Sequence, residues 1–433
     1  MGHTVRRIES VMIVCDTYEP LEHVAALRAT ALSKELAKRG IEVVVLTASE
    51  PTDRRLEGIQ DSGELTEPLL RVFRTPRDVE HGASTGDQRM RSLARLRTAC
   101  RYIRTGPFPV WLRGTMRIAT TLDRPAVILA IHGNATSLEV ARRLSSHWQC
   151  PWVADFKDIW DNGMRRPSLR RAIVRLSLSR RVRSAAAITA SSEGTARGFE
   201  RVFGRTVHSV YSGIDGFSGD SAQVAQQADD HFRIVFTGHV SPRDTKLSEC
   251  IEGIVGAMHA VPEVEVQLHY YGWSPERIQK ELSRHGCSEI LRDHGYVSAD
   301  EARRAQRGAD VLMHLPFPGM SVKYLEYVAS GRPMLVIPPE GDDSAELFRG
   351  DATIIEVNTS SEVTDGLARE MRHWLKVGRR PDVKRQVVQF SWSCQAERLV
   401  KVLEAAVGIE PKAARRVRRS GKVDAQAMAE GDR

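Results

Sequence analysis

Short apolar runs alternate with helical segments along most of the chain. The runs are bounded by polar or turn residues, which is typical of buried parallel strands. They cover residues 8–15, 41–46, 126–132, 152–156 and 185–192 in the first half, and residues 232–237, 264–271, 309–315 and 334–338 in the second. Between the first two runs, Leu27, Leu32 and Leu36 carry a helix that ends at Gly40. This repeated strand-helix-strand pattern predicts an α/β fold.

Changes of composition divide the chain into segments. Its 433 residues are enough for two domains. Residues 216–230 are polar and contain few large apolar side chains, so we predict a linker there. The linker places a first domain at residues 1–215 and a second at residues 231–390. A further helix is predicted within residues 391–408, and the charged segment 409–433 is predicted to be disordered.

The composition is typical of a globular protein of the cytoplasm. Hydrophobic residues make up 41% of the chain and charged residues 27%. No stretch reaches the roughly 18 uninterrupted apolar residues of a membrane span, and no apolar signal-peptide region follows the basic start. The six cysteines are scattered and form no C-x-x-C pair. This spacing argues against a zinc site or a disulfide framework, and no metal site is expected.

The net charge of +8 implies an anionic partner. Nucleotides, phospholipid surfaces and nucleic acids all qualify, but nucleic acid is supported by charge alone, because no stacking aromatics form a known module with the arginines. Two arginine-rich segments, 90–104 and 165–183, are candidates for contact with an anionic membrane. The alternative for the first is a core-facing helix with a solvated arginine side. The second has apolar residues on two faces, which is unfavourable for a membrane helix.

Residues 321–333 carry the strongest candidate chemistry. They lie between two apolar runs and are predicted to form a helix that Ser321 caps and that ends at Gly331. In an open α/β sheet such a helix begins where ligands bind, and its free amides suit a diphosphate. Lys323 adds a cation, and Glu326 can accept two hydrogen bonds from a ribose diol. The alternative is a surface pair of Lys323 with Glu326, which contributes a few tenths of a kcal/mol.

The pattern Ser321-x-Lys323-x-x-Glu326-Tyr-x-x-x-Gly331-x-Pro resembles the nucleotide-sugar site of GT-B glycosyltransferases, especially family 4 members that build bacterial surface glycans. The resemblance implies two Rossmann-like domains that face a cleft, and a terminal helix that returns to the first domain. It gives Glu326 the donor ribose and the turn at Ser321 the diphosphate. Further stretches are similar to the same family, at residues 28–47, 153–160, 190–193 and 210–215.

The resemblance also implies further donor-binding positions in the second half. Gly238 begins the loop that faces the donor diphosphate, and Tyr296 belongs to the loop near the nucleobase. The sequence has a histidine at position 239 where the family has arginine, so Arg243 and Lys246 are the replacement cations. Position 318 is proline where retaining members carry a glutamate, and the backbone of Gly319, Met320 and Ser321 is expected to contact the donor sugar instead.

In the first half, polar residues follow two predicted strands. His132 ends one apolar run, while Asp155 and Asp158 belong to the stretch around the next. These three are the candidates to handle the proton of the acceptor hydroxyl. A structural role, as a helix cap or in a strand-end hydrogen bond, is the alternative for each. The first loop carries Glu19-Pro20 where the family usually has a Gly-Gly pair, which leaves the acceptor geometry open.

The resemblance therefore predicts a glycosyltransferase that moves a sugar from a nucleotide-diphosphate sugar to an acceptor. A lipid-linked or cell-surface glycan precursor is the expected acceptor, and the expected location is the cytoplasm or the inner face of the cell membrane. GT-B enzymes typically need no metal, so no cofactor is expected. The alternative function is a catalytically inactive GT-B-like subunit that binds a sugar nucleotide or a partner enzyme. The stereochemical outcome stays open, because Pro318 removes a familiar marker.

Overall fold

The structure is a computed structural model that divides into two compact units. One contains the chain up to Gly213 together with the chain from Trp392 onward, and the other contains Ile214–Ser391. The described residues are 7–21, 24–49, 68–78, 102–157, 169–214, 230–240, 246–316, 322–339, 343, 347–348, 350–381, 383 and 385–408. The predicted linker, apart from Asp230, and the predicted tail lie outside them.

The first unit is built on a parallel sheet. In the described part of this unit the strands are β1 (Ser10–Val14), β2 (Glu42–Ala48), β3 (Leu70–Thr75), β4 (Val127–His132), β5 (Trp152–Phe156), β6 (Ala187–Ala190) and β7 (His208–Ser209). They are ordered β3-β2-β1-β4-β5-β6-β7. The apolar run predicted as a strand at residues 185–192 is longer than β6, the strand that it contains. Ser192 lies outside β6 and caps the next helix.

Helices cover both faces of this sheet. They are α1 (Val24–Lys38), α2 (Pro109–Ala119), α3 (Ala135–Trp148), α4 (Leu169–Val182), α5 (Glu193–Phe203) and α11 (Trp392–Val407). Along β1, Val11 and Ile13 pack in the cluster that contains α1 and α11, whereas Met12 and Val14 pack in the cluster that contains α2 and α3. This alternation is the pleat of a strand that is buried on both sides.

The second unit repeats the architecture. Its described strands are β8 (Phe232–Thr237), β9 (Val266–Tyr271), β10 (Leu291–Asp293), β11 (Val311–His314), β12 (Met334–Val336) and β13 (Ile354–Glu356), in the order β10-β9-β8-β11-β12-β13. Its described helices are α6 (Leu247–Ala260), α7 (Glu276–Arg284), α8 (Ala299–Arg307), α9 (Val322–Ala329) and α10 (Ser360–Val377). Helix α10 lies close to α6 because Gly253 has no side chain there; an added carbon would meet Val363.

Each sheet has a point at which the strand order reverses. In the first unit it lies between β1 and β4, and in the second between β8 and β11. Loops diverge at such a point and leave a crevice at the carboxyl ends of the strands, where ligands of α/β proteins bind. The predicted α/β fold is confirmed. The residues that follow β1, β4, β8 and β11 are therefore the candidates for ligand binding.

Two kinds of feature are absent from the described residues. No helix there is long and apolar enough to cross a membrane. No group of three or more histidine, cysteine, aspartate or glutamate side chains in that part of the chain is arranged to hold a metal ion.

Candidate functional site

The candidate site of the second unit lies at the carboxyl end of β8, beside the switch point. Gly238 follows the strand with a φ of +119°, and its N–H donates to the carbonyl oxygen of Tyr271 at 2.7 Å. A side-chain carbon added to Gly238 would meet the ammonium group of Lys323. Both the left-handed backbone and the close approach of Lys323 therefore favour glycine at this position.

Lys323 reaches this point from the first turn of α9. Its Nζ donates to the carbonyl oxygen of Thr237 and, at 3.3 Å, to Thr237 Oγ1. Burial lowers the pKa of Lys323, and the charge of Glu326 raises it in part. An ammonium group has three donors, and Thr237 accepts two of them. Within the described part of the chain, the lysine is therefore positioned at a helix N-terminus with a donor left for an anionic ligand.

Glu326 lies one helical turn after Lys323. Burial raises the pKa of its carboxyl group, whereas the charges of Lys323 and Arg303 and a hydrogen bond from Gln306 lower it. The Nε2 of Gln306 also donates to Thr237 Oγ1 at 3.1 Å, so α8, α9 and β8 meet at this threonine. The structure thus brings Gly238, Lys323 and Glu326 together, and their assignment to the donor stays a prediction.

The other predicted donor-binding residues are distributed differently. Gly319, Met320, Ser321 and Arg243 lie outside the described residues. Lys246 bonds outside the cluster around Thr237: its Nζ donates to Glu249 at 2.5 Å and to the carbonyl oxygen of Asn358 at 2.9 Å. These bonds anchor the start of α6 and leave Lys246 less suited to a ligand than Lys323.

Tyr296 follows β10 and packs against an aromatic residue that the sequence analysis did not single out. Its ring centroid lies 4.8 Å from that of Trp273, which follows β9. Both side chains are exposed, Trp273 by 61% and Tyr296 by 53%. The two loops are joined where the Gly272 N–H donates to the Gly295 carbonyl oxygen at 2.8 Å. An exposed aromatic pair beside a strand end provides a flat apolar surface on which a planar ligand can stack.

In the first unit, Asp155 occupies the interior. Both its oxygens accept from Arg28, at 2.8 Å from Nε and from Nη2, and Oδ1 also accepts from Thr189 Oγ1 at 2.6 Å. Arg28 and Asp155 are 1% and 0% exposed. A carboxylate that is shielded and bonded in this way favours the structural role that the sequence left open for it.

The remaining candidates of the first unit are His132 and Asp158. The His132 ring lies against Phe156, with ring centroids 4.9 Å apart, and is half-buried. Asp158 lies outside the described residues. Their assignment to the acceptor proton stays a prediction.

The structure adds Asp16, which the sequence analysis did not single out and which lies in the loop after β1. Its Oδ2 accepts from Asn134 Nδ2 at 2.7 Å, and its carboxylate lies directly against Gly133. Burial raises its pKa, while the charges of Arg77 and Lys157 lower it. The available signal was its position, because it is the first carboxylate after the first strand.

The model of the family described as "Glycosyl transferase 4-like domain" matches residues 25–212. These 188 of the 433 residues are similar to glycosyl transferase 4-like domains. The matched residues include Arg28, His132 and Asp155 but begin after Asp16. No curated protein matches the chain.

Solved structures resemble the chain over nearly its whole length. HepE from Anabaena in complex with UDP is 15% identical, with 95% of this chain and 100% of that chain covered and a TM-score of 0.56. Sucrose-phosphate synthase from Thermosynechococcus elongatus is 14% identical, with coverage of 98% and 100% and a TM-score of 0.56. The apo structure of OtsA is 13% identical, with coverage of 91% and 99% and a TM-score of 0.63.

Identities this low show the fold alone, and the family match adds a similarity over residues 25–212. Together they confirm the predicted resemblance to GT-B glycosyltransferases of the family 4 type.

Proposed function

We propose that this glycosyltransferase moves a sugar from a nucleotide-diphosphate sugar to a hydroxyl group of a glycan or lipid-linked acceptor. The observation that supports the donor class best is the arrangement at the end of β8. There the ammonium group of Lys323 lies against Gly238, and Glu326 follows one helical turn later.

Each of these groups has a part in the proposed reaction. When the glycosidic bond to the donor breaks, negative charge develops on the departing diphosphate. The Lys323 ammonium stabilises that charge, and as a group already fixed by Thr237 it needs little reorganisation. Glu326 accepts hydrogen bonds from the ribose hydroxyls and so orients the nucleotide. Under this proposal the protein's own cation serves the leaving group, and no cofactor is required.

HepE, which has the same fold, has been solved with UDP and with UDP-glucose. We therefore take UDP-glucose as the first donor to test. The exposed rings of Trp273 and Tyr296 support a nucleotide ligand, because aromatic side chains stack on any nucleobase.

The proposal also includes the acceptor and the cellular location, which rest on the surface of α4. Helix α4 exposes Arg175 and Arg180 together with Leu176, which is 62% exposed, and the exposed Arg183 follows the end of the helix. Basic and apolar groups side by side suit the headgroup region of an anionic membrane. They support a protein that acts at the inner face of the cell membrane on a lipid-linked or surface-glycan precursor. Of the other arginine-rich segment, residues 90–101 lie outside the described part.

A GT-B-like subunit without turnover is the second candidate. It is favoured by His239 and Pro318, which replace an arginine and a glutamate of the family pattern, and by the bonds that hold Lys246 away from a ligand. Such a subunit would bind a sugar nucleotide without consuming it.

One experiment separates the two functions. The purified chain is screened by thermal shift against UDP-glucose, UDP-N-acetylglucosamine, GDP-mannose and dTDP-glucose, and each donor that binds is then incubated with alkyl glycosides or with water alone as acceptor. Release of nucleoside diphosphate supports the transferase, and binding without release supports the subunit. Stabilisation by none of these donors would contradict the proposed donor class.

The assignment of Glu326 is tested with Glu326→Ala and a matched control. Loss of hydrogen bonds to a charged acceptor is expected to weaken nucleotide binding by about 10- to 100-fold. Glu252→Ala removes an exposed carboxylate from α6 of the same unit and is expected to leave the affinity unchanged. Equal affinities of the two variants would remove Glu326 from the site.

A further inference from the structure

Asp16 lies at the switch point of the first sheet. It follows β1 after one residue, and Gly133 and Asn134 follow the adjacent strand β4 directly. The Asp16 carboxylate lies against Gly133, where an added side-chain carbon would collide with it. Because the strand order reverses between β1 and β4, this position faces the crevice in which a sheet of this type binds ligands.

Two hydrogen bonds hold the Asp16 carboxylate in the described structure, one from the Asn134 side chain and one from the backbone of Asp16 itself. Asn134 donates to Oδ2 from Nδ2, and its own Oδ1 accepts from the Thr136 N–H at 2.8 Å, which sets the orientation of the amide. The Asn134 side chain also caps α3. Asp16 is half-buried, so a ligand can still reach it. The Asp16 carboxylate is held in a defined orientation and can still accept a hydrogen bond from a ligand. The buried Asp155 carboxylate is oriented too, but it is shielded from ligands.

Charged and titratable groups follow other strands of the same sheet. Arg77 follows β3, Lys157 follows β5, and His132 ends β4. Cys15 is adjacent in the chain, and burial raises its pKa to about 12, so it stays a neutral thiol. The positive charges of Arg77 and Lys157 favour the ionised carboxylate, while burial opposes it. Asp16 is therefore the best placed base among the described groups at this edge.

We propose that Asp16 binds the acceptor hydroxyl of the transfer reaction and takes its proton. The inference rests on the proposed function and deepens it. As the acceptor oxygen forms its bond to the anomeric carbon of the donor sugar, the bond from that carbon to the diphosphate oxygen breaks. The electron pair of the broken bond leaves with the nucleoside diphosphate, and the proton of the hydroxyl passes to Asp16. Asn134 is a positioning residue that holds the carboxylate.

The test uses the full chain and Asp16→Asn, with Glu19→Gln as control. Glu19 belongs to the same loop, and its carboxylate pairs with Lys34 at the surface. The readouts are the affinity for UDP, and the rate of nucleoside diphosphate release from the donor that the screen selects, with water or an alkyl glycoside as acceptor. General base catalysis typically contributes about 10²- to 10⁴-fold. Asp16→Asn is expected to lose at least about 100-fold in rate at unchanged UDP affinity, and Glu19→Gln to match the wild type.

The dependence of the rate on pH distinguishes a catalytic role of Asp16 from a purely structural one. The rate of the wild-type chain is expected to fall on acidification, from a pH above the range of an ordinary aspartate, because burial raises the pKa of Asp16. This decline is expected to persist in His132→Gln. A wild-type rate that stays constant from pH 7 to pH 4 would overturn the inference even if Asp16→Asn does not fold.

Failure of the proposed function and failure of the inference about Asp16 give different results. If the wild type releases no nucleoside diphosphate from any donor, the proposed function fails and the inference with it. If the wild type is active and Asp16→Asn matches it, the inference alone fails. If Asp16→Asn loses UDP affinity and rate together, Asp16 has a structural role and the inference is again overturned.

Discussion

Arg28 and Asp155 form a two-point ion pair in the interior of the first unit, with both N–O distances at 2.8 Å. Arg28 also donates to the carbonyl oxygens of Val210 and Tyr211, at 2.8 Å and 3.0 Å. The guanidinium therefore joins α1, β5 and the segment that follows β7. Because these partners lie far apart in sequence, the pair fixes the tertiary arrangement of the unit.

Removal of one partner is expected to destabilise the first unit strongly. Asp155→Ala leaves a buried guanidinium without its counter-charge, and such a change typically costs about 3–5 kcal/mol. The measurement is denaturant unfolding of the full chain, followed through the transition of the first unit. Arg28→Met combined with Asp155→Leu is expected to cost less than either single change. A transition midpoint unchanged in Asp155→Ala would show that the pair does not stabilise the fold.

Nucleotide binding is expected to weaken at alkaline pH because of Lys323. Burial lowers the pKa of this lysine, so its charge is lost at a lower pH than that of an ordinary lysine. Only the protonated form attracts the diphosphate, and the affinity therefore falls as the pH rises through that pKa. Titration calorimetry with UDP between pH 6 and pH 10 measures the decline. Lys323→Met is expected to bind UDP weakly with no such decline, and uridine is expected to show little of it.

Tyr296→Ala is expected to weaken binding of ligands that contain a nucleobase. Loss of one stacking aromatic typically costs about 1–3 kcal/mol, which corresponds to about 5- to 150-fold. Affinities for UDP and for inorganic pyrophosphate are compared, because pyrophosphate lacks the base. The loss is expected for UDP alone, and Trp273→Ala is expected to behave in the same way. Equal losses for both ligands would place Tyr296 at the phosphates or in a structural role.

Gly133→Ala is expected to reduce the transfer rate by displacing the Asp16 carboxylate, which lies where the new methyl group would go. The readout is the rate of nucleoside diphosphate release at unchanged UDP affinity. Gly198→Ala is the matched control, because nothing lies within 4 Å of its added carbon. As Gly198 lies inside α5, that change is expected to stabilise the chain by about 0.5–1 kcal/mol. A Gly133→Ala variant as active as Gly198→Ala would contradict the close contact.

Charge reversal on α4 tests the membrane proposal. Arg175→Glu combined with Arg180→Glu is expected to weaken binding to vesicles of phosphatidylglycerol and phosphatidylcholine, because each basic residue near an anionic surface contributes about 1 kcal/mol. Lys280→Glu with Arg284→Glu makes the same charge change on α7 of the other unit. Co-sedimentation that falls equally in both double variants would indicate a general effect of net charge.

Local sequence patterns predicted the strands and helices that are marked by an apolar run or by a capping residue and a terminal glycine. The apolar run at Ala309–Leu315 contains β11, and the cap-to-glycine pattern contains α9. The edge strand β3 was missed because its arginines interrupt the apolar run. The role of Asp155 depends on Arg28, which is 127 residues away, and no local pattern carries that information. Asp16 was missed for a similar reason, since its significance comes from the adjacent strand β4.

The last described helix completes the first unit. Trp392 fills the space beside Gly213, and Gln395 Oε1 accepts from the Tyr211 N–H at 2.8 Å. During vectorial synthesis on the ribosome, residues 214–391 emerge before these groups do. The nascent first unit therefore stays incomplete, with the surface for α11 uncovered, until residues 392–407 have been synthesised. A chain shortened before Trp392 would expose that surface permanently, so quality-control proteases should recognise it.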